Sequence, residues 1–437
     1  MSFNLRKPAH TLPVFSNLPH STMILLQNVL LQDKPASIAV DGGKIVRISR
    51  EPLDIPGADV ADCSGKAVIP GFVNMHTHAA MVLLRGIHED LNLYDWLDGI
   101  WKIEAKLDAD FIYWATKIAC LEMIRSGTTT FNDQYWFAPH ARQAAVEMGI
   151  RPVVSFIFLD SHNAEMAARQ REACERLYRR TLEWGPESQF AISIHSVYTV
   201  SEENILWATR FARERGLKIH LHLAETALED ADCRKAHDGL SPTAYFDKLG
   251  VLGPDVIAAH CLWLSDDDVR ILGERGVNCV HNINSNLKLA SGFRFRYNEL
   301  RDAGANVCIG TDGAASSNNL DILEHMKYTA MLQKAWRGDP AQMPLSELMD
   351  CATSHGARAL GIDTGVLREG ASADLSLIDI TGTAFLSTGS TAANLVYAAH
   401  SDVITDVMCQ GKWIMRGRQI PGEAEILSNA RRILSQI

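Results

Sequence analysis

Apolar and polar positions follow two different rhythms along the chain, and the change between them divides it. Residues 22–72 read as short strands with turns. TMILLQNVLLQ, SIAVDGG and KIVRISR are apolar, β-branched runs, and Asp41-Gly42-Gly43 is a hairpin signal between two of them. From AVIPGFVNMH to about residue 365, apolar runs with polar ends alternate with helical stretches. The strand candidates are GFVNMHTH, TTTFNDQ, RPVVSFIFLD, FAISIHS, KIHLHLAET, VIAAHC, VNCVHNIN and NVCIGTDG. Segments between them, such as DADFIYWATKIACLEMIRSG and SDDDVRILGERG, open on Ser, Thr or Asp and close on Gly, the start and stop signals of helices. Eight near-continuous apolar strands, each followed by helical sequence, predict a parallel sheet buried on both faces, and eight is the number that closes a barrel. Strand texture returns after residue 365 in ADLSLIDI, DVITDVMCQ and KWIMRG. The N-terminal piece is small for a core of its own, so the two ends are expected to pair. The expected fold is therefore α/β: a (β/α)8 TIM barrel over residues 73–365, with a small β-sandwich domain formed by residues 1–72 and 366–437.

Composition narrows the function classes. The 437 residues are 47% hydrophobic and 22% charged, which is ample for a large core and unlike a disordered chain. The formal charge is −10, from 42 basic and 52 acidic residues, with no Lys/Arg-rich run. Nucleic acid and anionic membranes are accordingly not expected partners. Nine dispersed cysteines in apolar contexts, none in a CxxC pair, read as reduced buried thiols. The N-terminus has no apolar signal core, and MILLQNVLL is too short to span a bilayer. A soluble cytoplasmic protein is expected.

Catalytic groups of such barrels sit at the C-terminal ends of the strands. The first candidate strand ends in His76-Thr77-His78, the fourth in His195, the fifth in His222, the sixth in His260 and the eighth in Asp312. One strand-end histidine is usually an ordinary hydrogen-bonded residue, but five strand ends carrying metal-ligand types point to a site. Strand alternation puts i and i+2 on one side, so His76 and His78 can converge on one ion with Thr77 turned away. His220 and His222 share that spacing; His222 is favoured because it lies nearer the strand end, and His220 reads as a layer residue below the site or a partner of a ligand. His76, His78, His222 and Asp312 suit one divalent ion, zinc first and iron second, with room for water. Glu225, three residues beyond His222, is a carboxylate placed to carry a proton between water and a substrate ring nitrogen. Its bland alternative is a helix-start carboxylate. No PCxxC is present to supply the cysteines of zinc-thiolate deaminases.

VIPGFVNMHTHAAMVLLRG, HLHLAET, AAHCLWL, HNINSNLKLASG and IGTDGAASSNNLDILEHMK together resemble the amidohydrolase superfamily, and more narrowly its 5-methylthioadenosine/S-adenosylhomocysteine deaminase branch. The likeness covers residues 22–437. It implies hydrolytic deamination of an adenosine-type nucleoside, with Zn as the metal, a small-molecule substrate and a homo-oligomer, dimer or tetramer. It further implies that Glu225 shuttles a proton to the ring nitrogen, that Asp312 passes one to departing ammonia, and that His260 orients the water. Glu104 matches the residue that holds the ribose hydroxyls, His195 a substrate-contacting histidine, and Ser316 a residue near base or ribose. Trp101 stands where many relatives carry an aromatic or apolar residue and is assigned no role. Two-metal relatives use a fourth-strand lysine where this chain has FAISIHS, which favours a single ion. Ile283 replaces a proline common in relatives, a departure that bears on local loop shape. Guanine or other aminopurine and aminopyrimidine deaminases, and triazine hydrolases, share this scaffold and stand as the alternative.

Overall fold

A computed structural model describes residues 23–435. Eight parallel strands form the barrel: Phe72–Thr77, Thr128–Asp133, Arg151–Phe158, Gln189–Ile194, Lys218–Leu223, Val256–His260, Asn278–His281 and Asn306–Ile309. They are hydrogen-bonded in sequence order. The first and eighth meet at their C-terminal ends, where the backbone N–H groups of Thr311 and Asp312 donate to His76 O at 3.0 and 2.9 Å. The strands are buried along nearly their whole length because helices cover the outside and side chains fill the inside. Local signals explain the helix bounds. The helix Ala109–Arg125 starts where the Asp108 carboxylate accepts from Phe111 N. Asp266–Glu274 starts on a reciprocal Ser265–Asp268 capping box.

The two chain ends share one further sheet of eight strands, in which Lys66–Pro70 pairs antiparallel with Leu375–Asp379. Gly42 and Gly43, at φ 54° and 81°, make the turn between Lys34–Asp41 and Lys44–Ser49. The sheet curls so that Leu26, Ile38 and Val40 from the N-terminal side enclose a small core with Leu375, Leu377 and Met408 from the C-terminal side. On this basis we propose the domain division 1–72 with 366–437, and 73–365; residues 1–22 lie outside the described residues. Two ties join the units. Gly71 alone separates the sheet strand Lys66–Pro70 from the first barrel strand, and a Cβ there would stand 2.4 Å from the Thr129 side chain. Deeper in, Arg151 Nη1 pairs with the fully buried Asp374 Oδ2 at 2.7 Å. The helix Glu423–Leu434 leaves the sheet and lies along Ala109–Arg125, with Arg432 reaching Asp110 at 3.0 Å.

The first strand departs from simple alternation. Asn74 opposes Phe131 and Thr77 opposes Asp133, so one extra residue is accommodated in between. This bulge lets Met75 pack in the barrel floor with Val73, Val153 and Val280, while the next residue, His76, also points inward.

Candidate active site

Four ligand atoms converge at the top of the barrel. His76 Nε2 and His78 Nε2 each lie 3.3 Å from Asp312 Oδ1, and His222 Nε2 lies 3.4 Å from His78 Nε2. Donor atoms about 2.0–2.1 Å from a tetrahedral ion are about 3.3–3.4 Å apart, so these separations fit an ion at their centre. The opposite ring nitrogens show why the Nε2 lone pairs are free. His78 Nδ1–H donates to Gln134 O at 2.6 Å, and His222 Nδ1–H donates to His195 O at 2.8 Å. His76 Nδ1 meets His220 Nε2 at 2.8 Å, and its own Nε2 is buried with no hydrogen-bond partner. A buried nitrogen without a partner is expensive unless something binds it. The residues thus fit a divalent metal ion, and His220 lies behind His76 as its hydrogen-bond partner.

The strand ends that carry the site are held in unusual backbone. Ala224, His260 and Asp312 have φ of 51°, 76° and 63°, in the left-handed region that non-glycine residues seldom adopt. Each turns the chain sharply off its strand. At the fifth strand the turn is pinned by Glu229, whose carboxylate accepts from Ala224 N at 3.0 Å and Glu225 N at 2.7 Å. Glu229 therefore holds the helix start, which leaves Glu225 free to face the cleft. Glu225 Oε1 accepts from the Ser291 hydroxyl at 3.2 Å, and Oε2 lies 3.6 Å from His260 Nε2. Burial, then the charge of Asp312 and of Glu229, push the Glu225 carboxyl well above the usual carboxylate range. Asn286 Nδ2 donates to His260 Nδ1 at 2.8 Å, which puts the His260 proton on Nε2, facing Glu225.

Every expected site residue except His76 lines one cleft with about 610 Å³ of free space, part of it open to solvent. His76 sits directly beneath it. Also in the cleft lining, the Glu104 carboxylate accepts from the Tyr135 hydroxyl at 2.6 Å. His195 accepts or donates at Nδ1 with the Thr199 hydroxyl at 2.9 Å, and burial, with the neighbouring His78 and His76, depresses its pKa to about 3. Ser316 donates to Gly313 O at 3.0 Å, so its hydroxyl proton is already engaged. Sequence reasoning missed Gln134, Tyr135 and Trp136, which follow the second strand and also line the cleft. Gln134 is buried with both amide atoms unpartnered. Trp101, given no role from sequence, stands with its ring 6.2 Å from that of His195. The available signal was the run QYWF directly after a strand end, a cluster of large rings where chemistry is placed.

A sequence profile of the amidohydrolase family matches residues 67–414. The chain belongs to the amidohydrolase family. Among amidohydrolases it is 45% identical over 374 residues to the 5′-deoxyadenosine deaminase of Methanoregula boonei, covering 85% of this chain and 84% of that one. It is 41% identical to the 5-methylthioadenosine/S-adenosylhomocysteine deaminase 1 of Archaeoglobus fulgidus, over 93% of this chain and 96% of that one. An adenosine deaminase from Xanthomonas campestris, solved with bound zinc, superposes with a TM-score of 0.88 at 31% identity, covering 96% of this chain and 99% of the other. A triazine hydrolase variant superposes almost as well, at a TM-score of 0.87, but at 23% identity that likeness speaks for the fold alone. As an amidohydrolase, this chain is an enzyme acting on a small molecule, with a histidine-rich metal site of the kind its family uses.

Proposed function

We propose that this amidohydrolase deaminates an adenosine-type nucleoside hydrolytically, 5′-methylthioadenosine, S-adenosylhomocysteine or adenosine itself, giving the inosine-type product and ammonia. The observation that carries the reading is one cleft lined by His78, His222, Asp312 and Glu225, with His76 beneath them, and by the Glu104 carboxylate as well. His76, His78, His222 and Asp312 would hold one ion, and zinc suits three nitrogens and one oxygen. When bound, the ion supplies Lewis acidity and makes water a far stronger acid.

The chain's own groups supply the proton traffic and the fit. Glu225, whose carboxyl pKa burial raises above the usual range, is placed to collect a proton from water and deliver it to a ring nitrogen of the base, which makes the amino-bearing carbon more electrophilic. His260, fixed by Asn286, presents Nε2–H to the space beside Glu225 and orients the attacking water. Asp312 takes the remaining proton and passes it to the leaving amine. Glu104 accepts the vicinal ribose hydroxyls, a requirement that a free base cannot meet. His195 and Ser316 border the base and sugar. A homo-oligomer and a cytoplasmic location belong to the same reading, and among the described residues no helix is long and apolar enough to cross a membrane.

The test is ammonia release from adenosine, 5′-deoxyadenosine, 5′-methylthioadenosine, S-adenosylhomocysteine, guanine and simple aminopyrimidines. Release from the nucleosides supports the reading. Release from free bases alone would overturn it while leaving the metal site intact.

A further inference from the structure

The cleft does not end at Glu104. A second cavity shares Trp101, Glu104, Trp136 and Leu159 with it and runs outward over Leu107 and Phe137. Glu104 is the only ionisable side chain that lines this annex among the described residues, and none of the four metal-site residues reaches it. Its rings are held there deliberately. Trp101 and Glu104 lie three positions apart on the helix Leu93–Glu104, so they share a face. Phe137 has φ 54°, a left-handed conformation that costs a bulky residue energy, yet the residue is 44% exposed. Core packing does not account for an exposed ring on strained backbone at the mouth of a cavity.

Resting on the nucleoside-deaminase reading, we propose that the annex receives the 5′ substituent of the nucleoside and selects an apolar one. A deoxy methyl or a short alkylthio group is favoured over a hydroxyl or a charged amino-acid tail. With the base at Asp312 and Glu225 and the vicinal hydroxyls on Glu104, the C5′ arm is directed at Trp101, Trp136 and Leu159. A hydroxyl there loses water and gains no partner among indole and aliphatic side chains. A zwitterionic amino-acid tail must leave water as well, and the annex lining offers no cation to receive its carboxylate. Kinship does not make this choice, because relatives named for 5′-deoxyadenosine and for S-adenosylhomocysteine both match the chain.

The experiment is kcat/KM for adenosine, 5′-deoxyadenosine, 5′-methylthioadenosine and S-adenosylhomocysteine, with the zinc-loaded wild type, Phe137→Gly and Leu159→Arg. Burying a methylthio group should favour 5′-methylthioadenosine over adenosine about tenfold, with S-adenosylhomocysteine no better than adenosine. Phe137→Gly suits the backbone at that position and should narrow the methylthio advantage. Leu159→Arg should raise S-adenosylhomocysteine relative to 5′-methylthioadenosine. Adenosine or S-adenosylhomocysteine matching 5′-methylthioadenosine, with deamination intact, overturns the annex proposal alone. Should no nucleoside release ammonia, the deaminase reading falls, and calorimetric binding of the same four compounds still decides what the annex prefers.

Discussion

Replacing His220 with leucine should weaken metal binding without unfolding the protein. His76 can present a lone pair from Nε2 only if its proton sits on Nδ1, facing His220 Nε2, 2.8 Å away and fully buried. His220 accepts it only with its own proton on Nδ1, which requires the Asn132 amide, 3.2 Å from that nitrogen, to turn its unpartnered Oδ1 toward it. Leucine removes the acceptor and leaves a buried N–H with nothing to bond, at about 1–3 kcal/mol. His76 can escape by moving its proton to Nε2, which turns the ligand atom into a donor. Either way, zinc affinity should fall about 10–100-fold. His220→Gln keeps an acceptor oxygen in reach and should recover most of that loss. The assay is competition with a chromophoric chelator, beside thermal melts of the metal-free proteins to separate folding from binding. Zinc affinity in His220→Leu within about threefold of wild type, with a normal metal-free melt, would refute the tautomer argument.

Four more outcomes follow from the same geometry. Glu225→Gln should retain zinc but lose about 10²–10⁴-fold in kcat, measured by ammonia release with metal content checked on the same sample. Glu104→Gln should raise KM for nucleosides while leaving zinc content unchanged; unaltered nucleoside kinetics would remove ribose recognition from this residue. His76→Ala and His78→Ala should each lose the metal, whereas Thr77→Ser, which keeps the hydroxyl donating to Asp312 O at 3.2 Å, should keep both metal and turnover. In the chain-end sheet, burial tends to raise the Asp406 pKa, but the Lys66 ammonium at 2.5 Å, the Thr405 hydroxyl and Gly417 N–H more than offset it, so the folded pKa is lowered. That stabilisation is present above the unfolded carboxylate value of about 3.9 and is lost as pH falls through the folded value. Asp406→Asn should therefore lower Tm at neutral pH, with the gap from wild type closing in acid melts below about pH 4.

The barrel was legible because each strand announces itself twice, by an apolar run and by the polar residue that ends it. His76, His78, His222 and Asp312 could be gathered because strand ends share one face of the fold whatever their separation in sequence. Alternation alone was an incomplete guide, since it does not foresee the bulge that lets both Met75 and His76 face inward. Gln134, Tyr135 and Trp136 were missed for a different reason. They lie in a loop, where no period constrains direction, and large rings there look the same whether they cap a core or line a cleft. The Glu104–Tyr135 hydrogen bond joins a helix to that loop, a meeting set by tertiary packing alone.

The single residue between the chain-end sheet and the first barrel strand has a consequence for how this enzyme can be cut or rebuilt. Gly71 N is tied to Asp374 O at 3.0 Å, and Phe72 N to Gly127 O at 2.9 Å, so the chain is gripped on both sides of the joint. His76 lies five positions beyond Gly71 and four beyond Phe72, and at about 3.3 Å per residue the strand works as a short stiff ruler between a remote anchor and the reaction centre. The far ends of the polypeptide thereby set the depth at which two imidazoles stand. A barrel excised at residue 73 would retain all four ligand side chains and lose the gauge that aligns two of them, so the sheet is part of the instrument and cannot be trimmed as an accessory.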